Sequence, residues 1–139
     1  MSRADRQTET SVQQEFYSDF AIDFSKNPIT GALARLTNED SIKQSIKILV
    51  FSILGEWPHA NQIGSKVSHQ IFEMVDDISA SVLQTTVNDV LRNLEPRIDA
   101  LQVIVRGDPD NHSYTLSILF SIKNTNISSS LTLILRRTR

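Results

Sequence analysis

The feature that most constrains this chain is a change of apolar period at Pro96. Before it, apolar residues recur every three or four positions. After it, they recur every second position. From Asn38 to Leu54, Ile42, Ile46, Leu49, Val50 and Ile53 fall on one helical face, with Asn38 or Asp40 available as N-cap. Ile48, Phe51 and Leu54 make a second apolar face, which predicts a central helix covered on more than one side. Ser79 then precedes Leu83, Val87, Val90, Leu91 and Leu94, a second long helix, and Pro96 denies Glu95 the α conformation, so this helix ends near Leu94. From Ile98 onward, three runs alternate with polar residues: Leu101, Val103 and Val105; Tyr114, Leu116, Ile118, Phe120 and Ile122; Leu131, Leu133 and Leu135. Turn residues Asp108-Pro109-Asp110-Asn111 and Asn124-Thr125-Asn126 separate them. The expectation is an α+β fold in which two main helices, with short helical segments, pack on a C-terminal three-stranded antiparallel meander.

The rest of the chain fills in around these elements. Gly55 and Pro58 stop the first helix and open a loop to Lys66, after which Val67, Ile71, Phe72 and Met74 line a short helix. Trp57 in that loop is expected as a plug over the core, with a partner-binding anchor as the alternative. The segment Glu15 to Phe24 mixes aromatics with acids and reads as an irregular strap ending at the Asn27-Pro28 turn. Residues 1–14 are polar, carry both charge signs and read as a flexible arm, and residues 15–139 as a single domain. The length, 139 residues with 40% apolar, suits one modest core.

Several chemistries find no support. With 14 basic and 16 acidic residues, the net charge of -2 gives no general attraction for nucleic acid. Ile46 to Leu54, interrupted by Lys47 and Ser52, is far short of the roughly 20 apolar residues of a membrane span, so no membrane contact is expected. No cysteine is present to form a disulfide, a thiolate metal site or a nucleophile. His59, His69 and His112 lack metal-ligand spacing, and no phosphate-binding loop or dinucleotide fingerprint occurs, so no metal, cofactor or catalytic residue is assigned. Glu56, Glu73, Asp76, Asp77 and Glu95 are the acids to consider for glycosidase chemistry, which needs two carboxyls held about 5–10 Å apart in different protonation states. For Asp76 and Asp77, the simpler reading is stabilisation of a helix N-terminus.

Glu95-Pro96-Arg97 is the most distinctive short segment. Held extended by Pro96, it points the Glu95 and Arg97 side chains to the same side as a rigid pair of opposite charges. Chemistry alone leaves two readings open: a helix stop with an exposed ion pair, or a polar docking point for a neighbouring subunit, where Arg adds planar, multidentate hydrogen bonding. The last strand, Ser128 to Arg137, also has two readings. As the end of a meander it offers an edge for strand pairing, the reading preferred; the alternative is that Arg136, Arg137 and Arg139 merely keep an exposed edge soluble. Leu131, Leu133 and Leu135 should face the helices, leaving Thr132, Ile134 and Arg136 on the other face.

Taken in order, Asn38 to Leu54, the Gly55-Glu56-Trp57-Pro58 turn with Ile63-Gly64-Ser65 downstream, Ile71-Phe72-Glu73, and above all Leu94-Glu95-Pro96-Arg97-Ile98-Asp99 resemble the baseplate wedge and sheath-initiator family of contractile-tailed phages, which is related to a baseplate subunit of type VI secretion systems. The resemblance covers about Tyr17 to the C-terminus. It implies a structural subunit of the virion tail baseplate, assembled in the host cytoplasm, with other wedge subunits and the tail sheath protein as partners and the tail tube or hub as further neighbours. It also implies that Glu95, Pro96 and Arg97 dock on neighbouring wedge proteins, and that Leu131, Thr132, Leu133, Ile134, Leu135 and Arg136 join an intersubunit sheet from which the sheath starts. Some members carry a lysozyme label, so a tail-associated muramidase is the competing function; a bacterial adaptor sharing the fold is a weaker one. The chain departs from the family where Trp57 and Pro58 follow the Gly-Glu turn, since many relatives have a basic residue leading into the proline.

Overall fold

The computed structural model describes residues 14–125 and 127–137. The arm assigned to the first fourteen residues thus lies, except for Gln14, outside the described residues, as do Asn126 of the second turn and Arg139. The elements run β1 (Ser18–Phe20), β2 (Arg35–Thr37), α1 (Asn38–Phe51), α2 (Val67–Gln70), α3 (Asp77–Leu94), β3 (Ile98–Asp108), β4 (Ser113–Ile122) and β5 (Ser128–Arg136).

The helix α3 follows its sequence signals closely. Asp76 is its N-cap and accepts the Ser79 N–H at 2.6 Å, satisfying one of the donors that a helix start leaves open. Glu95, just before Pro96, leaves the helical region at φ -116°, ψ 85°. Leu83, Val87 and Leu91, one turn apart, are fully buried toward the sheet. The sheet has order β3-β4-β5 with both pairings antiparallel, and its inner face contributes Val103, Tyr114, Leu116, Ile118, Phe120, Ile122, Leu133 and Leu135 to the core. Each large aliphatic side chain so buried contributes about 1.5–3 kcal/mol.

The helix α1 departs from its signals at both ends. Its N-cap is Thr37, without a side-chain bond, rather than Asn38 or Asp40, because the Asn38 side chain is engaged elsewhere. At the other end the chain turns extended at Ser52, three residues before Gly55. The returning loop supplies the reason. Ser65 forms a parallel bridge with Ile53, its N–H donates to Ser52 C=O at 2.8 Å, and its hydroxyl donates to Val50 C=O at 2.7 Å. Gly64 makes this return possible: at φ +126°, a Cβ there would lie 2.7 Å from the Ile53 carbonyl oxygen. On the core face of α1, Ile42, Ile46, Leu49 and Val50 are buried as expected, but Ile53, assigned to the same face, lies beyond the end of the helix and is largely exposed. The second face is not covered, since Ile48 is only half-buried and Phe51 and Leu54 remain largely exposed.

Two further expectations are corrected. The strap is not irregular. Ser18, Asp19 and Phe20 pair with Thr37, Leu36 and Arg35 in a second, two-stranded antiparallel sheet, continued by a bridge between Lys26 and Leu33 around the Asn27-Pro28 turn. The architecture is therefore mixed α and antiparallel β, with two sheets rather than one among the described residues. The helix expected to extend to Met74 is a single turn, and while Val67 is buried and Ile71 packs against the core, Phe72 and Met74 are exposed. Met74 instead uses its backbone, accepting the Tyr114 hydroxyl at 3.1 Å.

Candidate docking surfaces

The joint between α3 and β3 brings Glu95 and Arg97 together as the extended tripeptide requires. Arg97 donates from Nε to Glu95 Oε1 at 2.6 Å and from Nη2 to Oε2 at 2.8 Å, a bidentate fork in which planar guanidinium meets planar carboxylate. Its third nitrogen, Nη1, reaches the Ser41 hydroxyl on α1 at 3.3 Å, and its backbone carbonyl accepts Lys123 N–H at 2.9 Å. Of the two readings left open for this segment, the exposed ion pair does not hold: the Glu95 side chain is 2% accessible and that of Arg97 25%, while Pro96 is exposed beside them. Burial is the largest influence on Glu95 and pushes its carboxyl upward, but hydrogen bonds from Arg97 and Ser45 and the positive charge of Arg97 together hold it below the ordinary carboxylate range. Arg97 is held above its own ordinary value, first by its hydrogen bond to Glu95. This joint is strongly polar, and its Glu95 carboxylate is satisfied within the chain.

The outer edge of β5 is of the opposite kind. At one end of the β4–β5 ladder Ile122 N–H donates to Ile127 C=O at 3.0 Å, and at the other Arg137 N–H approaches His112 C=O at 3.4 Å. With the register Ser113↔Arg136 through Ser121↔Ser128, these bonds fix the parity of the antiparallel ladder. Residues 129, 131, 133 and 135 turn their backbone groups toward β4. Ser128, Ser130, Thr132, Ile134 and Arg136 turn theirs outward, where no strand pairs with them among the described residues. Side chains alternate accordingly: Leu133 and Leu135 are buried and Leu131 packs against the core, while Thr132, Ile134 and Arg136 are exposed. The start of the strand is tied down by Ser129, whose hydroxyl donates to Glu39 in the first turn of α1. Glu39 is held below its ordinary value chiefly by Lys43 and then by Ser129.

Other candidates fall elsewhere. Trp57 is half exposed and does not plug the core. His59, His69 and His112 are exposed and belong to different elements, and among the described residues no group of three His, Asp or Glu side chains is placed to hold a metal ion. Among these residues, no helix is long and apolar enough to cross a membrane. Glu73 is exposed and, with Asp76, bears on Tyr114, whose hydroxyl is raised first by burial and also by these two charges.

Sequence reasoning missed the first turn of α1 as a hub. Asn38, Glu39 and Ser41 reach the N-terminal segment, β5 and Arg97 respectively. Asn38 adopts φ +45°, a left-handed conformation that Asn tolerates better than other non-glycine residues. An Asn directly after a strand-forming Leu-Thr was the one available signal.

With the geometry established, comparison with known proteins places the chain. A family model described as "Baseplate wedge protein gp25" matches residues 37–130. The baseplate wedge protein gp25 of Enterobacteria phage T4 is 32% identical over 82 residues, or 59% of this chain and 62% of the phage protein, so the chain spans less than two thirds of that relative's length. Among solved structures, a protein from Geobacter sulfurreducens described as a tail lysozyme has a TM-score of 0.65 at 20% identity, over 73% of this chain and 92% of its own. A chain of the baseplate complex from the type VI secretion system has a TM-score of 0.60 at 15% identity, over 70% of this chain and 93% of its own. At those identities the two structures show a shared fold. The family match runs from the last residue of β2, through the helices and the Glu95–Arg97 joint, into β5, and covers well over half of the sequence: the chain belongs to the baseplate wedge protein gp25 family.

Proposed function

We propose that the protein is a structural subunit of a contractile-tail baseplate wedge, that it docks on neighbouring wedge subunits through Glu95, Pro96 and Arg97, and that β5 starts sheath polymerisation by pairing with a strand of the tail sheath protein. Family membership supports the wedge role and a place in the tail baseplate of a virion; assembly in the host cytoplasm is part of the same proposal. The observation that carries the mechanism is the outward parity of β5. Five residues, Ser128, Ser130, Thr132, Ile134 and Arg136, present backbone donors and acceptors in one line along an edge that no strand covers among the described residues. An incoming strand would satisfy them all, the backbone supplying affinity and the alternating side chains setting register. Residues 15–139 act in this reading as one domain, with the tube or hub as further neighbours.

The reading includes no hydrolytic step. A glycosidase general acid needs a carboxyl raised toward neutrality, whereas Glu95 is held low by a bidentate Arg97. The Geobacter protein is described as a lysozyme, but at 20% identity it shares the fold alone.

Thr132→Pro tests strand pairing. The Thr132 N–H points away from β4, so proline removes an outward donor and leaves the internal ladder intact. The expected outcome is a folded chain that enters baseplates which then fail to nucleate full-length sheath. Baseplates that nucleate sheath at the normal rate would exclude the mechanism.

A further inference from the structure

We infer that Tyr17 and Asn38 are positioning residues of the docking site, holding an aromatic face over the Arg97 guanidinium so that the N-terminal sheet and Glu95-Pro96-Arg97 form one recognition unit. The inference rests on the docking reading above and adds to it residues far away in the sequence.

The Tyr17 ring lies against Arg97, with the guanidinium carbon 5.8 Å from the ring centroid, inside the range of cation–π attraction. What places the ring there is Asn38. Its N–H donates to Tyr17 C=O at 2.7 Å, its Oδ1 accepts Phe16 N–H at 2.9 Å and Tyr17 N–H at 3.2 Å, and its Nδ2 donates to Gln14 C=O at 3.0 Å. The segment 14–17 is thus fastened to the first residue of α1 by one buried side chain and its backbone. Immediately beyond, Ser18 pairs with Thr37, so Tyr17 is clamped between the amide of Asn38 and the first rung of β1–β2. One turn further along α1, Ser41 holds Arg97 Nη1.

The guanidinium is consequently bounded on three sides. Glu95 takes the edge formed by Nε and Nη2, Ser41 takes one donor of Nη1, and Tyr17 covers a face. Since both terminal nitrogens of an arginine carry two N–H groups, these bonds leave, among the described residues, one donor on Nη1 and one on Nη2 to offer a partner. Those donors lie in the plane of the group. A partner oxygen acceptor must approach along that plane, and the Tyr17 face excludes an approach from its side. The N-terminal sheet therefore sets the direction of docking as well as covering the end of α1.

Three variants separate positioning from folding. Tyr17→Leu keeps apolar bulk and removes the aromatic face; Tyr17→Phe keeps the face; Asn38→Gly tolerates the positive φ and removes the amide clamp. In the purified full chain, nitrogen NMR of the Arg97 guanidinium reports rotation about its C–N bonds. Recovery of complex with co-expressed wedge proteins of the same tail reports docking, with Arg97→Lys, which keeps a cation beside Glu95, as reference. Tyr17→Leu and Asn38→Gly are expected to speed guanidinium rotation and to weaken docking by about 2–5-fold, the equivalent of one partly exposed cation–π contact, while Tyr17→Phe matches the parent. Unchanged rotation in Tyr17→Leu and Asn38→Gly overturns the inference, as does undiminished recovery in both while Arg97→Lys loses the complex. If Arg97→Lys itself docks normally, the docking reading has failed and the inference fails with it.

Discussion

The α3–β3 joint and the outer edge of β5 are both polar surfaces proposed to meet other subunits, yet they are prepared in opposite ways. At the joint, Glu95 and Arg97 already satisfy each other, with help from Ser41 and Ser45, and the carboxylate is out of reach of water. On β5, five residues hold out donors and acceptors that nothing in the chain completes among the described residues. The joint is preorganised, so a partner docking there would meet a fixed shape and little ordering would remain to be done on binding. The edge, under the proposed pairing, would stay exposed to water until a strand arrives, and its affinity would come from completing a ladder. Removing a group from the joint should therefore injure the fold, whereas removing one from the edge should injure only assembly.

The largest expected effect breaks the joint. Arg97→Ala strands a buried carboxylate, and loss of one partner of such a pair costs about 3–5 kcal/mol. Urea unfolding of the purified chain measures it, and a loss below about 1 kcal/mol would place the pair in the class of exposed ion pairs. Arg97→Ala therefore cannot by itself separate docking from folding, which is why Arg97→Lys, which keeps a cation beside Glu95, and the Tyr17 variants are the better probes.

Acid sharpens the same point. Because the folded-state carboxyl of Glu95 lies below its ordinary value of 4.5, its contribution is fully present above that value and is lost as pH falls through the folded-state value. Glu39 acts in the same direction. In Arg97→Ala the sign reverses for Glu95, whose buried carboxyl then prefers its proton. The stability gap between parent and variant should narrow as the pH is lowered through the acid range, and a gap independent of pH would mean that the ion pair is not its origin.

Smaller effects are expected toward the edge. Ser129→Ala removes the hydroxyl that ties the start of β5 to Glu39, with an expected loss of about 0.5–1.5 kcal/mol. Thr132→Pro, at an outward-facing edge position, should cost less than about 1 kcal/mol while blocking sheath nucleation. If this ordering inverts and the Thr132 variant unfolds most easily, its N–H is engaged within the fold and the contrast between the two regions collapses.

What was legible in the sequence follows from which forces are local. The limits of α3 could be read because Asp76 and Pro96 act on their immediate neighbours, and β3 to β5 because an alternating pattern over nine or more residues is hard to satisfy otherwise. The end of α1 could not, since Ser65 takes the carbonyl of Val50 from across a loop. Nor could β1 and β2, whose three residues each are too short to show a period. Trp57 misled because an indole suits a core and a protein surface equally, and only the three-dimensional arrangement decides. At the candidate site, the Glu95–Arg97 pairing was evident from their spacing, whereas its burial depends on Ser41 and Tyr17, which a linear reading does not bring near.

The parity of β5 has a consequence for dimension as well as for affinity. Outward backbone groups recur at every second residue, so any strand that adds to this edge can pair fully only in registers two residues apart, a step of about 6.8 Å. A slip of one residue would either set donor against donor or, if the strand rolled over to restore the bonds, turn every side chain to the wrong face. The edge thus behaves as a ruler with coarse divisions, and the height at which a first ring could sit above this subunit would be quantised rather than continuously adjustable.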